Sequence, residues 1–358
     1  MALFTVLDLR ATMFSRARIF VEDLKGKRID NDPFLTKIAK PNFSQSQQDF
    51  LYSHEFFKGT GNNITRVIAN KPNDIEAVFS LENLIPSQIN YNNINKMKSF
   101  VFAPSDIEDV KQRSILYKIG DEDYPVPLNE LVFFYDVTNG LTANSRFKSP
   151  SRIDALVPAL ANIHEAQKSK NINLRMSAKH IVSSGLTSGG DMLDGLQSGE
   201  KQDIENGFMH KDIMATESNL KVNSLANDFR KLMFDESANA DLLKIANAYG
   251  ISKDVLNWAL DGAITYENQE AAVIKWIQNS IMFEGEDFAG TWESYFNYRE
   301  QGKRIKLDYS HLPVMQVLKE KEVDSIKTRT EVAKALVELG MTNEAAMESM
   351  GLNNLKNG

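Results

Sequence analysis

Glu130 to Leu160 reads ELVFFYDVTNGLTANSRFKSPSRIDALVPAL. Its opening run, ELVFFYDV, is dense in aromatic and β-branched residues and predicts a strand. The polar TNG that follows breaks it. Further on the pattern changes. Ser149 is a good helix N-cap, and Pro150 sits where proline is tolerated, at the first helical position. Ile153, Leu156, Val157, Leu160 and Ile163 then form one apolar stripe at helical spacing. The helix is predicted to run to Lys168 or Lys170. One stretch therefore joins a β-rich part of the chain to a helical part, and the fold class expected is α+β.

Upstream, residues 64–135 carry short runs of the same kind: ITRVIAN, AVFSLEN, SFVFAP and SILYKI. Pro, Gly and Asn clusters separate them, which predicts a mainly antiparallel region. QINYNNINK at 88–96 reads as a loop or hairpin. In 31–63, Phe34, Leu35 and Ile38 predict a helix stopping near Lys40, because the residue before Pro41 is pushed out of the α region. Ser44 is the expected cap of a second helix with Phe50, Leu51, Phe56 and Phe57, ended by Gly59, Gly61 and Asn62. Residues 1–30 read as an irregular arm or short helix available to dock on a neighbour.

Downstream, 183–200 (SSGLTSGGDMLDGLQSGE) is Ser/Gly-rich and reads as a loop, with a short helix from about 199. Residues 224–249 predict the longest helix, with Gly250 as its C-cap. A shorter helix holds Val255, Leu256, Trp258 and Leu260. DGAITYEN at 261–268 is a loop, and another helix runs from about Asn268 to Phe283. After an acidic 284–300 segment comes a strand-like RIKLDY. The C-terminus predicts two helices, one ending at Gly340 and one running from Thr342 to Gly351.

Composition narrows the function classes. The 358 residues allow two or three domains at about 150 residues each. There is no cysteine, so disulfides, thiolate metal sites and cysteine nucleophiles are excluded. Lys and Arg total 41 against 48 Asp and Glu, for a formal charge of −7. A protein that wraps DNA by counterion release carries a basic face and a high pI, and here the pI is about 5.4. No apolar run approaches the roughly 18 residues of a membrane helix. The acid and base within MALFTVLDLRATMFSRAR argue against a signal peptide.

No enzyme motif survives inspection. GTGNN at 59–63 lacks the Gly-Lys-Ser/Thr of a P-loop and reads as a helix-ending turn. GLTSGG is not a nucleophile elbow. His54, His164, His180, His210 and His311 form no H-x-x-x-H pair and read as surface or packing residues. Asp121, Glu122 and Asp123 could in principle hold a divalent cation, but a solvated turn between two strands is the better reading. The aromatic group Trp258, Trp276, Trp292, Tyr295, Phe296 and Tyr298 reads as core or subunit interface, since its surroundings are acidic. Charge is unevenly spread. Residues 151–182 hold five basic residues, Arg152, Lys168, Lys170, Arg175 and Lys179, against two acids. Residues 277–300 hold five acids against one base. Such segments suit a surface that meets a charged partner or a copy of itself.

The order of elements resembles the short form of the portal (head–tail connector) proteins of tailed bacteriophages, from about residue 30 onward. DPFLTKIAKPN with FFKGTGNN, NLIPSQINY, the 130–160 stretch, LKIANAYGISKDVL, YENQEAAVIKWI and ALVELGMTNEAAMESMGL occur in the family's order. Two departures are Phe147 in place of a glycine before Ser149-Pro150, and Ile251 in place of a proline after Tyr249-Gly250.

The resemblance implies a portal fold with a mixed α/β wing, a two-helix stem, a clip and a small helical crown, assembled as a ring of about twelve copies. Carried over, 1–150 would be arm and wing and 151–170 the first stem helix. The clip would be 171–221 and the second stem helix 222–249. Tunnel loop, long helix and wing return would fill 250–314, and the crown 315–358. Asp261, Tyr266 and Asn268 would belong to the tunnel loop lining the DNA channel. Lys168, Lys170, Arg175 and Lys179 would be basic stem and clip residues giving weak phosphate contact. The implied partners are further copies of the chain, the terminase large subunit, a head–tail adaptor, the major capsid or scaffolding protein, and double-stranded DNA without sequence preference. No membrane, cofactor or catalytic residue is implied. The location would be the capsid vertex of the virion, with the host cytoplasm during assembly. An acidic conduit would repel phosphate and let DNA slide. A second reading is another phage structural or adaptor protein. A third is a metal-dependent nuclease using Asp121 and Asp123.

Overall fold

The computed structural model describes residues 2–90, 114–137, 151–177, 180–184, 220–224, 234–261, 267–339 and 341–351. The chain divides into two compact units, 1–155 with 246–358, and 156–245.

The larger unit opens with α1 (Ala2–Ser15) and β1 (Arg18–Asp23). Of the two forms expected, an irregular arm or a short helix, the chain takes the helix, and α1 packs into its own chain. Val6, Ala11 and Phe14 are fully buried, and α1 lies along α3 (Gln47–Gly59). Between them, α2 (Pro33–Ala39) starts at Asp32, whose carboxylate accepts the Phe34 N–H at 3.0 Å, with Pro33 in the first turn. It ends before Lys40 and Pro41, as the proline requires. The cap of α3 is Ser46, not Ser44. Ser46 and Asp49 form a reciprocal capping box, while the Ser44 hydroxyl donates to Asn42.

Among the described residues of 64–135 every strand pair is antiparallel, as its β-branched and aromatic runs predict. β2 (Asn62–Ala69) is the centre of a three-stranded sheet between β3 (Val78–Leu84) and β7 (Leu131–Tyr135). A second sheet orders β4 (Ile89–Asn90), β5 (Ser114–Ile119) and β6 (Glu122–Pro127). Ile64, Leu84, Ile115, Val126, Leu128 and Leu131 form one core cluster. The SFVFAP run lies outside the described residues.

After α6 (Lys253–Asp261), reached below, α7 (Glu267–Trp276) passes through a π-helical turn, Ile277–Ile281, into α8 (Met282–Tyr295). The helix predicted to stop at Phe283 therefore continues through most of the acidic segment. Those acids do not break it, because Glu284 and Glu293 are buried and paired while Glu286 and Glu300 face outward. β10 (Lys303–Asp308) pairs with β1, from Arg18 opposite Asp308 to Asp23 opposite Lys303. Helices α9 (Pro313–Glu338) and α10 (Asn343–Ser349) close the chain.

Of the aromatics predicted as core or interface, Trp276, Trp292, Phe296 and Tyr298 are buried, while Trp258 and Tyr295 are half-buried. Phe34 meets Trp292, Phe296 and Tyr298 at 6.0, 6.3 and 6.1 Å, and Phe134 stacks on Phe288 at 5.7 Å. Each such pair adds roughly 0.5–1.5 kcal/mol beyond area burial. Asp32 holds the edge of this cluster, accepting from Tyr298 Oη and, at 2.8 Å, from Lys303 Nζ.

α4 (Arg152–Ser177), whose first turn belongs to the larger unit and whose remainder belongs to the smaller, begins three residues after Ser149 and reaches past Lys170. β8 (His180–Ser184) pairs antiparallel with β9 (Leu220–Ser224). The long helix predicted from 224 does not begin there: Ser224 is the last residue of β9, because LKVNS pairs with HIVSS. α5 spans Phe234–Ala248, and 225–233 lie outside the described residues. Most of the Ser/Gly-rich 183–200 stretch, the helix predicted from about 199, and Ser149-Pro150 lie outside the described residues.

Candidate functional site

Among the described residues, a heavily charged interior lies in the larger unit, where α1, α3, α8, the end of β7, the first turn of α4 and the last turn of α5 converge. Each of α1 and α3 carries a cation on its buried face. Arg10 Nε donates to Glu55 and its Nη2 to Glu284. Lys58 Nζ donates to Glu284 Oε2 at 2.5 Å and to Asp287 Oδ2 at 2.6 Å. Glu284 thus bridges two cations, one carboxylate oxygen each. Burial pushes Glu284 up, but Arg10 and Lys58 outweigh it and hold the carboxyl below its ordinary range. Glu55 is fully buried and burial raises it despite Arg10. Burial opposes charge on Lys58, and the three carboxylates around it keep it raised.

Arg152 forms the second half of the node. Its Nε lies 3.1 Å from Asp136 Oδ2 as an ion pair. Its Nη2 donates to the Asp136 carbonyl at 3.3 Å and its Nη1 to the Ala248 carbonyl at 3.0 Å. The Asp136 N–H donates back to Gly61 O at 2.9 Å, which fixes the end of β7 to the turn after α3. Tyr249 is the shared floor. The Arg152 and Arg10 guanidinium carbons lie 5.5 and 5.8 Å from its ring centroid. Its hydroxyl donates to Gly59 O at 2.7 Å. Burial, then nearby Asp136, pushes that phenol up to about 12.

The end of α5 is a Schellman turn. Ile251 N–H bonds Ala246 O at 2.9 Å, Gly250 N–H bonds Asn247 O at 3.0 Å, and Gly250 has φ +74°. A proline at 251 would lack the N–H that closes this turn, so the departure from the family pattern has a local reason. A Cβ at Gly250 would stand 2.6 Å from Ser280 Oγ in the π-helical turn.

Beside this node His54 is enclosed by Phe134 at 4.5 Å, Phe288 at 4.8 Å and Phe14 at 5.7 Å. Asn63 Nδ2 lies 2.9 Å from His54 Nδ1. Burial first and Lys58 second hold the imidazole well below its ordinary pKa. It is a packing histidine.

No family model matches the sequence, and no curated protein matches it. Solved structures do match. A chain in the virion of a native gene transfer agent particle aligns with a TM-score of 0.62 and 14% identity, over 98% of this chain and 90% of that one. A chain in the neck of the native particle, computed with C12 symmetry, aligns at 0.60 and 13%, over 98% and 90%. The fold is that of a particle-neck chain. A third match, an HK97-family phage portal protein from Corynebacterium diphtheriae, aligns at 0.47 and 13% over 86% of this chain and 91% of that one. It falls below the similarity at which a common fold follows, and the assignment stands on the first two.

The neck-chain fold places the sequence-predicted site residues unevenly. Asp261 is the last residue of α6 and Asn268 the second of α7, so both stand on helices at the ends of the 262–266 connection. Tyr266 lies outside the described residues. Lys168 and Lys170 lie on α4, with Lys168 exposed, and Arg175 is in its last turn. Lys179 lies outside the described residues. The three carboxylates at 121–123 do not converge. Asp121 is in the two-residue turn with Gly120 (φ +63°), while Glu122 and Asp123 are consecutive strand residues on opposite faces. Among the described residues no three His, Asp or Glu side chains group as a metal would require.

The sequence reading passed over Arg10, Glu55, Lys58 and Asp136 entirely. A signal existed: Arg10 interrupts the apolar LFTVLDLRATMF, and Glu55 and Lys58 sit inside the aromatic FLYSHEFFKG. A charge on an apolar helix face requires a buried partner. Its position in the fold, however, is set by contacts up to 274 residues distant.

Proposed function

We propose that this chain is a portal subunit that closes into a ring at one capsid vertex and serves as the conduit for double-stranded DNA in packaging and ejection. The observation that carries the reading is the fold match over nearly the whole chain to a chain of a particle neck computed with C12 symmetry. The sequence resemblance to portal proteins agrees with it. The role is structural and non-catalytic, and the ring is a dodecamer.

In this reading 151–170 is the first stem helix, 171–221 the clip, 222–249 the second stem helix and 315–358 the crown. The 262–266 connection, with Asp261, Tyr266 and Asn268, is the tunnel loop. Lys168, Lys170, Arg175 and Lys179 are the basic residues of stem and clip. The clip docks the terminase large subunit during packaging and a head–tail adaptor afterwards. The wing meets the major capsid or scaffolding protein. Assembly takes place in the host cytoplasm, and the finished ring resides in the virion.

A ring needs two different subunit faces that fit each other. Twelve copies at −7 each carry about −84 in total, which disfavours tight, sequence-blind adhesion of DNA. Native mass spectrometry with negative-stain microscopy tests the reading. Closed rings of about a dozen subunits with a central hole are expected. A stable monomer or dimer at all salt and protein concentrations would overturn it.

A further inference from the structure

The chain leaves the larger unit between Ala155 and Leu156 and returns between Ile245 and Ala246. Arg152 lies just before the first crossing, and its bonded partner Ala248 just after the second. We infer that Arg152 is the positioning residue that, within the larger unit, ties the first turn of α4 to the last turn of α5 and to the end of β7.

The chemistry suits this task. A guanidinium presents several N–H donors in a rigid plane, so one residue can hold several acceptors at fixed angles. Here the acceptors come from different places along the chain, the Asp136 carbonyl at the end of β7 and the Ala248 carbonyl in the last turn of α5, while the Asp136 carboxylate adds an ion pair. That carbonyl is one of those a helix end leaves without an intrahelical partner. The stacking of Arg152 on Tyr249 adds a further restraint, and Tyr249 is itself bonded to Gly59. Asp136 lies against Gly61, whose φ is +137° and whose missing Cβ leaves room for Ser151 at 3.3 Å. Within the larger unit, the end of α3, the end of β7, the first turn of α4 and the last turn of α5 are thereby joined.

Lysine cannot replace this arginine. An ammonium on a flexible stem can pair with the Asp136 carboxylate but cannot span to the Ala248 carbonyl in the same plane.

The test is backbone amide hydrogen exchange on the full chain with Arg152→Ala and Arg152→Lys. It is read at 153–155 and 249–251 against the β2–β3 pair as an internal control. Both variants are expected to exchange at least about tenfold faster at the two crossings, from loss of charge-assisted bonds, with β2–β3 unchanged. Unchanged protection at the crossings in Arg152→Ala would overturn the inference. So would restored protection in Arg152→Lys, which would reduce the role to charge alone. If Arg152→Ala fails to fold, Arg152→Lys decides by itself. The inference does not depend on the portal reading. Exchange at the crossings tests the joint in any oligomeric state, whereas ring mass tests the portal, so either can fail alone.

Discussion

Glu284 offers the sharpest perturbation of the buried charge node. Its two oxygens face different cations, Arg10 and Lys58. The side chains of Arg10 and Lys58 are each 3% exposed and that of Glu284 9%, so water screens little of the interaction. Glu284→Gln keeps the shape, removes the charge and turns one oxygen into an N–H donor aimed at a cation. Breaking a buried pair by removing one partner costs about 3–5 kcal/mol. The lower end applies here, because Arg10 keeps Glu55 and Lys58 keeps Asp287. Asp287 is 44% exposed, and a pair screened to that degree compensates by under about 1 kcal/mol. The expected loss is therefore about 3 kcal/mol, or roughly 6–12 °C in melting temperature if the larger unit melts cooperatively. Urea titration followed by tryptophan fluorescence reads it, since Trp292 is fully buried on α8. A second arm checks the cause. Arg10→Met alone strands Glu55, and adding Glu55→Leu should recover part of the loss by removing the orphaned charge. A loss below about 1 kcal/mol for Glu284→Gln, or a double variant worse than the sum of its singles, would refute the reasoning.

Other outcomes follow from the same geometry. His54 is held below its ordinary value of 6.5 by burial, so below that pH the unfolded chain binds more protons than the native one. Stability then falls as pH drops through 6.5, by up to about 1.4 kcal/mol per unit. Glu55, raised by burial, acts in the opposite sense, its native form holding a proton above the ordinary 4.5. The contribution of His54 is isolated by comparing wild type with His54→Leu between pH 6.5 and 5.5, where the variant should be flatter. Parallel curves would rule it out. Gly250→Ala should cost about 1–3 kcal/mol from left-handed strain and the Ser280 contact. Adding Ser280→Ala should recover only the contact part, and complete recovery would show that φ carries no strain. Charge reversal at Lys168 and Lys170 should prevent ring closure in native mass spectrometry, and intact rings would count against their place in the subunit contact.

The elements that were legible in the sequence are those built from local rules. Pro41 ended α2, and short β-branched and aromatic runs separated by Pro, Gly and Asn clusters gave the antiparallel strands. Gly250 capped α5 because only glycine enters the left-handed region at low cost. Ser44 was misjudged for Ser46 because both are competent caps, and the choice fell to Asp49 three residues on. The N-terminal helix was underread because its apolar residues are not confined to one stripe, and only α3 and the aromatic core define its inner face. The acidic 284–300 segment misled for a related reason. Charge counted along a sequence says nothing about which carboxylates turn inward, and Glu284 and Glu293 do. For the node, the sequence held only the hint of charges on apolar helix faces at Arg10, Glu55 and Lys58; which groups pair there is decided by tertiary packing, across up to 274 residues.

The π-helical turn at Ile277–Ile281 has a consequence for editing this gene product. The Met282 N–H reaches back to Ile277, five residues, so that turn encloses one residue more than an α-turn does. The surplus sits on the outside, where Gln278 and Asn279 are exposed. Deleting either would let the segment relax to an ordinary α-turn while the flanking apolar faces keep their phase. The same deletion in α7 or α8 would swing Phe288 and Trp292 by about 100° out of the core. The longest unbroken helical run in the larger unit therefore carries one expendable residue, and its position can be named in advance.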